Sequence, residues 1–114
     1  LVGENCFIFE NNIIQPFTSI GDNCILWSGN HIGHHTAIKD HCFIASHVVI
    51  SGNVTIGESS FLGVNCTISD NINIGKSNVI GSSAVIFKNT DDNSVYSPAE
   101  TEKSKVPSNR LRGF

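Results

Sequence analysis

The sequence predicts an all-β chain wound as a parallel β-helix, and three observations carry that prediction. First, every sixth residue from Val2 to Ile86 is aliphatic without a gap, and 12 of these 15 residues are Ile. An α-helix would show a period of about 3.6 and an ordinary strand a period of about 2. A strict period of six is the mark of stacked hexapeptides. Second, the slot three residues after each aliphatic reads Asn at positions 5, 11, 23, 53, 65, 71 and 89, seven of 15. Asn enters the left-handed backbone region more readily than most residues, so this slot is expected to be a corner. Third, the residue two before the aliphatic is mostly small, as at Cys6, Thr18, Cys24, Thr36, Cys42, Val48, Ser60, Cys66 and Ala84. The residue after it is often Gly, as at Gly3, Gly21, Gly33, Gly57, Gly63, Gly75 and Gly81. Glycine there is expected to ease the turn.

The period ends at Ile86. Residues 1–87 therefore read as the β-helix, and 88–114 as a polar loop followed by a polar, mostly basic tail. At 114 residues the chain is one domain at most. Its net charge of -3 gives no electrostatic case for nucleic acid or an anionic membrane as partner. No apolar run reaches the length of a membrane span. The chain has no Met and opens in mid-pattern, so a preceding domain is expected to be missing. The four cysteines stand at 6, 24, 42 and 66, all multiples of six, with no CxxC pair. That is a packing period, not a disulfide framework, and it reads as buried thiols in a reducing, cytoplasmic compartment.

The pattern over residues 2–87 resembles the left-handed β-helix of the hexapeptide-repeat acyltransferases. That resemblance implies triangular coils of three hexapeptides, 18 residues each, so the 15 repeats make about five coils. It also implies a homotrimer with active sites between subunits.

All five histidines lie in "GNHIGHHTAIKDHCFIASH", residues 29–47. His35, His41 and His47 fall in the corner slot that Asn fills elsewhere, and consecutive hexapeptides put them on different faces. A metal site needs several ligands converging on one ion. These five span less than one coil, so no metal is expected. Zinc-dependent carbonic anhydrases on the same β-helix, and a non-catalytic β-helix scaffold, are the alternative readings.

"HIGHH" resembles the "HIAHD" and "IGHD" strings of the acyltransferases. The resemblance places the catalytic base on His34 and a substrate contact on His31. Neutral imidazole suits proton abstraction near neutral pH. His35 stands where the family often has an acid that orients the base, so a contact to substrate or to a neighbouring subunit is its expected role. A backbone carbonyl, Asp40 or a neighbouring subunit is then left to orient His34. One coil beyond His34 lies Gly52, whose counterpart in the family gives its N–H to the thioester oxyanion. A fixed N–H there stabilises developing charge.

The resemblance further implies acetyl-CoA as co-substrate. "LGVN" and "IGSSA" resemble segments lining its pantetheine arm, with Gly63, Val64 and Asn65 stacked on Gly81, Ser82 and Ser83. "SPAE", 97–100, resembles a family ending near the adenine, and Lys88 is placed to meet a phosphate. The cysteines face inward and make poor nucleophiles. The closest branch acetylates amino sugars linked to nucleotides, or sialic acid, and carries a sugar-binding domain before the β-helix. The acceptor is therefore expected to be a sugar or nucleotide-sugar, with O- and N-acetylation both open.

Overall fold

The computed structural model describes residues 1–113 as a left-handed parallel β-helix of about five coils. Its elements are 15 two-residue strands and one short 3-10 turn at Ser108–Arg110. Three parallel sheets form the sides of the prism. The aromatic side stacks Phe7–Ile8, Ile25–Leu26, Phe43–Ile44, Phe61–Leu62, Val79–Ile80 and Val95–Tyr96. The His31 side stacks Ile13–Ile14, His31–Ile32, Val49–Ile50, Thr67–Ile68 and Val85–Ile86. The small-residue side stacks Ser19–Ile20, Ala37–Ile38, Thr55–Ile56 and Asn73–Ile74. Phe7 pairs with Ile25 and Ile25 with Phe43, so one coil advances 18 residues.

Side-chain alternation decides what is buried. The second residue of each strand points inward, and Leu26, Ile32, Ile44, Ile50, Ile56, Leu62, Ile68 and Ile80 are all 0 % exposed. Each fully buried aliphatic contributes roughly 1.5–3 kcal/mol. The first residue of each strand points out. Val2, Ile8 and Ile14 are interior by position but belong to the first coil, where they are partly exposed.

The corner slot behaves as its Asn content predicts. Every such residue from Asn5 to Ser83 has positive φ, between 52° at Ser77 and 74° at Gly29. The glycines serve a different purpose from the one expected. Those following the aliphatics do not have positive φ. Gly33 is required by close stacking, because a Cβ there would lie 2.6 Å from the Ser51 carbonyl carbon of the next coil. The inward slot is also more selective than "small". Thr18 Oγ1 donates to the Gly33 carbonyl at 3.1 Å, Cys24 Sγ to that of Lys39 at 3.1 Å, and Ser60 Oγ to that of Gly75 at 3.0 Å. A small residue with a donor satisfies a corner carbonyl that a purely apolar one leaves to water.

The stack continues past Ile86. Val95–Tyr96, in the segment expected to be loop, pairs with Val79–Ile80 at an offset of 16 residues. The phase is shortened by two, so no hexapeptide signal marks it. Asn93 takes the left-handed corner, and Asn89 instead accepts a bond from the Asn73 N–H. Asn78, fully buried, fastens this turn. Its amide donates to the Lys76 and Asp91 carbonyls, and its oxygen accepts from Thr90 Oγ1 at 2.6 Å.

Candidate active site

The corner between the His31 side and the small-residue side carries the residues of interest. Pro16, His34, Gly52, Asp70 and Lys88 follow one another along it at 18-residue intervals, and Phe17, His35, Asn53 and Asn71 follow beside them. His34 and Gly52 are in direct contact. A Cβ built on Gly52 would lie 2.5 Å from His34 Nε2 and 2.6 Å from Cε1, so the ring covers the glycine. Only Gly accommodates it there.

The backbone holds His34 from both sides. Its N–H donates to Gln15 Oε1 at 2.9 Å, and its carbonyl accepts from the Asn53 N–H at 2.7 Å. The Gly52 carbonyl accepts from Asn71. Among the described residues nothing accepts the Gly52 N–H. An exposed imidazole and a free backbone donor thus sit side by side on a rigid edge.

His34 Nδ1 lies 3.1 Å from His35 Nδ1. The left-handed φ of 57° at His35 lets two consecutive side chains meet edge to face, with ring centroids 5.3 Å apart. Phe17, one coil below, stacks on the His35 ring with centroids 5.0 Å apart and planes 26° apart. Asp40 does not serve His34. It lies on the corner between the small-residue and aromatic sides, where its Oδ1 accepts from the Asp22 N–H.

The other histidines are dispersed. His31 is half-buried on the outward face of its strand, paired with Ile13 and Val49. His41 meets Asn23 on the Asp40 corner at 3.3 Å. His47 covers Gly29 on the remaining corner. Among the described residues no three His, Cys, Asp or Glu side chains converge to hold a metal ion.

The residues expected at the co-substrate divide between two corners. Gly63, Val64 and Asn65 stack beneath Gly81, Ser82 and Ser83 on the His47 corner. Lys88 is exposed on the His34 corner, three coils above the base. Both corners border the His31 side. Cys24, Cys42 and Cys66 are buried, and all four cysteines are free. The neighbouring Cys24 thiol and burial push the Cys42 thiol up, and burial pushes Cys66 up to about 12. Neither Gln15 nor Phe17 stands out in the sequence: Phe17 lies one coil of 18 residues before His35, whereas Gln15 lies 19 before His34, out of step with the repeat.

Residues 1–33 and 18–52 match the bacterial transferase hexapeptide model of six repeats. No curated protein sequence matches the chain. Among solved structures, an H-to-N mutant of perosamine N-acetyltransferase from Caulobacter crescentus, in complex with CoA and GDP-perosamine, is similar at TM-score 0.73 and 20% identity, over 82% of this chain and 49% of that one. Serine acetyltransferase isoform 3 from Entamoeba histolytica, in complex with cysteine, is similar at TM-score 0.70 and 22% identity, over 84% of this chain and 38% of that one. WeeI from Acinetobacter baumannii is similar at TM-score 0.65 and 22% identity, over 82% of this chain and 50% of that one. The chain thus spans half or less of the length of these proteins. Repeat and fold agree: the chain is built of hexapeptide repeats wound as a left-handed β-helix, similar in fold to these proteins.

Proposed function

We propose that the chain supplies the catalytic β-helix of an acetyl-CoA-dependent acetyltransferase acting on an amine or hydroxyl of a nucleotide-linked sugar. One observation carries the reading: His34 Nε2 lies against Gly52, whose N–H is uncommitted. His34 takes the proton from the acceptor nitrogen or oxygen. The freed lone pair attacks the thioester carbonyl, and the Gly52 N–H bonds the oxyanion as it forms. Collapse expels the coenzyme A thiolate, which recovers a proton from His34. No acyl-enzyme forms, in keeping with three thiols that are buried and a fourth, Cys6, that is half-buried and lies away from the His34 corner. General base catalysis of this kind supplies roughly 10²–10⁴ in rate and a well-placed oxyanion donor about 10²–10³.

The fold likeness to acetyltransferases solved with CoA and a GDP-sugar supports the choice of both substrates. Lys88 lies three coils from His34 on the same edge, about 14 Å at the ordinary strand spacing, a place suited to the phosphate end of the co-substrate. The stacked Gly63–Asn65 and Gly81–Ser83 corners offer small residues to the same molecule bound by a neighbouring copy, and His31 stands ready on the adjacent face for the acceptor. A homotrimer is the working unit in this reading, supported by the apolar outer residues Phe7, Phe43, Phe61, Val79 and Val95 along one side. A sugar-binding domain before the β-helix, as in the resembling branch, would add to acceptor choice.

The test is turnover of acetyl-CoA with GDP-perosamine and other nucleotide-linked amino sugars as acceptors. His34→Ala should lose about 10²–10⁴ in kcat while coenzyme A binding survives. Full activity in that variant would refute the mechanism.

A further inference from the structure

We propose that His35 is the positioning residue for His34: its Nδ1 accepts the Nδ1–H of His34 and leaves His34 Nε2 unprotonated over Gly52. This rests on the general-base reading above and supplies the orienting group that reading otherwise lacks.

The 3.1 Å separation of the two Nδ1 atoms requires one proton between them. If His35 donated it, His34 would carry its own proton on Nε2, and the nitrogen beside Gly52 would have no lone pair to offer. If His34 donates it, Nε2 is the basic atom, next to the free Gly52 N–H. The bond made by one ring nitrogen sets the role of the other. His35 then keeps its proton on Nε2. When His34 accepts a second proton during the reaction, its Nδ1–H still points at a lone pair, and the bond becomes charge-assisted.

The partner is held in place. Stacking on Phe17 fixes the plane of the His35 ring, and the corner φ of 57° fixes its backbone. Gln15, Phe17, Gly52 and Asn53 approach the pair from the coils on either side, and none of them ionises. Asp70, two coils above His34, is the nearest carboxylate along this corner. A neutral acceptor orients the base without a carboxylate's full charge. His35 therefore does by hydrogen bonding what an acid does in the resembling strings.

The two test variants preserve the corner. Gly and Asp both adopt left-handed φ at low cost, and Gly29 already fills the equivalent slot of another corner. His35→Gly removes the acceptor. His35→Asp restores one, because Oδ1 is as many bonds from the backbone as Nδ1. Nitrogen-15 NMR of the full chain with its imidazoles neutral reads the tautomer directly. His34 should appear as the Nδ1–H form in the unmodified chain and in His35→Asp, and should pass to the Nε2–H form in His35→Gly. An Nε2–H signal from His34 in the unmodified chain, or an Nδ1–H form that persists in His35→Gly, overturns the proposal.

Kinetics with acetyl-CoA and GDP-perosamine add a second readout. His35→Gly should lower kcat by about 10- to 100-fold, part of the full base contribution, with KM for acetyl-CoA unchanged. His35→Asp should recover most of kcat; an equal loss in both variants overturns the positioning role. Should His34→Ala keep full activity, the general-base reading falls, while the tautomer experiment still decides whether His35 orients His34.

Discussion

The His34 imidazole fills the space that any side chain on Gly52 would need, with Nε2 only 2.5 Å from where a Cβ would stand. Gly52 does not have positive φ, so its backbone conformation accepts Ala. Gly52→Ala should therefore leave the fold intact and push the ring aside. A base displaced by about 1 Å loses on the order of 100-fold in rate. Coenzyme A release should fall by that factor, with the melting temperature nearly unchanged. Unchanged turnover would mean that the contact between the two residues has no catalytic weight.

Phe17 pays a conformational cost for its place beside His35. It has φ 63° and is 80% exposed, a backbone region that a bulky residue enters at about 1–2 kcal/mol. Asn stands at the equivalent position two coils up, at Asn53. Phe17→Asn should raise stability by about 1 kcal/mol and lower kcat by about 10-fold, as loss of a supporting contact does elsewhere. Denaturant melts and kinetics measure the two together. A variant with both higher stability and full kcat would show that Phe17 does not support the pair.

Much of this was legible because the hexapeptide frame assigns every residue a side, a corner and a coil. The step from His34 to Gly52 follows from adding 18, and the structure places the two in contact. The Asn-rich slot gave the left-handed corners because Asn reports local backbone conformation. The glycines misled for the same reason: Gly33 looks like a turn residue, but its lack of a side chain answers to the next coil's backbone. The His34–His35 bond was hidden because it depends on how two adjacent side chains turn at a left-handed corner. The turn at Val95–Tyr96 was hidden because an offset of 16 breaks the period.

Asn78 should act as the latch of that last turn. It is fully buried and bonds to Lys76, Asp91 and Thr90. Asn78→Ala removes all three bonds, at about 0.5–1.5 kcal/mol each, although Ser94 Oγ still donates to the Asp91 carbonyl and the Gly75 N–H to Thr90 Oγ1. Hydrogen exchange should quicken at Val79 and Gly81, whose N–H groups bond to Ser94 and Tyr96. Exchange near Ile32 and Ile50 should not change. Uniform quickening along the prism would argue against a local latch.

The outer residues of the aromatic side bear on assembly. Phe7 and Phe61 remain 59% and 40% exposed, and the Phe43 and Phe61 rings lie 5.4 Å apart. A continuous apolar strip of this kind favours a protein partner. Light scattering should give a mass three times the 12.3 kDa of the chain. Phe61→Asp should shift it toward a single chain, since an unpaired carboxylate in an interface costs several kcal/mol. A trimer that survives the substitution would place its contacts on another side.

The buried thiols set an alkaline limit. An unfolded cysteine ionises from about 9, whereas burial holds Cys66 protonated to about 12. Between those values the unfolded chain binds fewer protons than the folded one, so stability falls as pH rises. Below about 9 the thiol is protonated in both states and the effect vanishes. The slope in the window is about 1.4 kcal/mol per pH unit for each such thiol. Cys42, also pushed up by the neighbouring Cys24 thiol and by burial, acts in the same direction. Cys66→Ala removes one contribution at little packing cost, because Ala84 fills the same slot one coil above and is itself buried. Denaturant melts between about pH 8 and about pH 11 should show a shallower decline for that variant. Equal slopes in the two proteins would mean that Cys66 ionises in the folded prism as readily as it does in the unfolded chain.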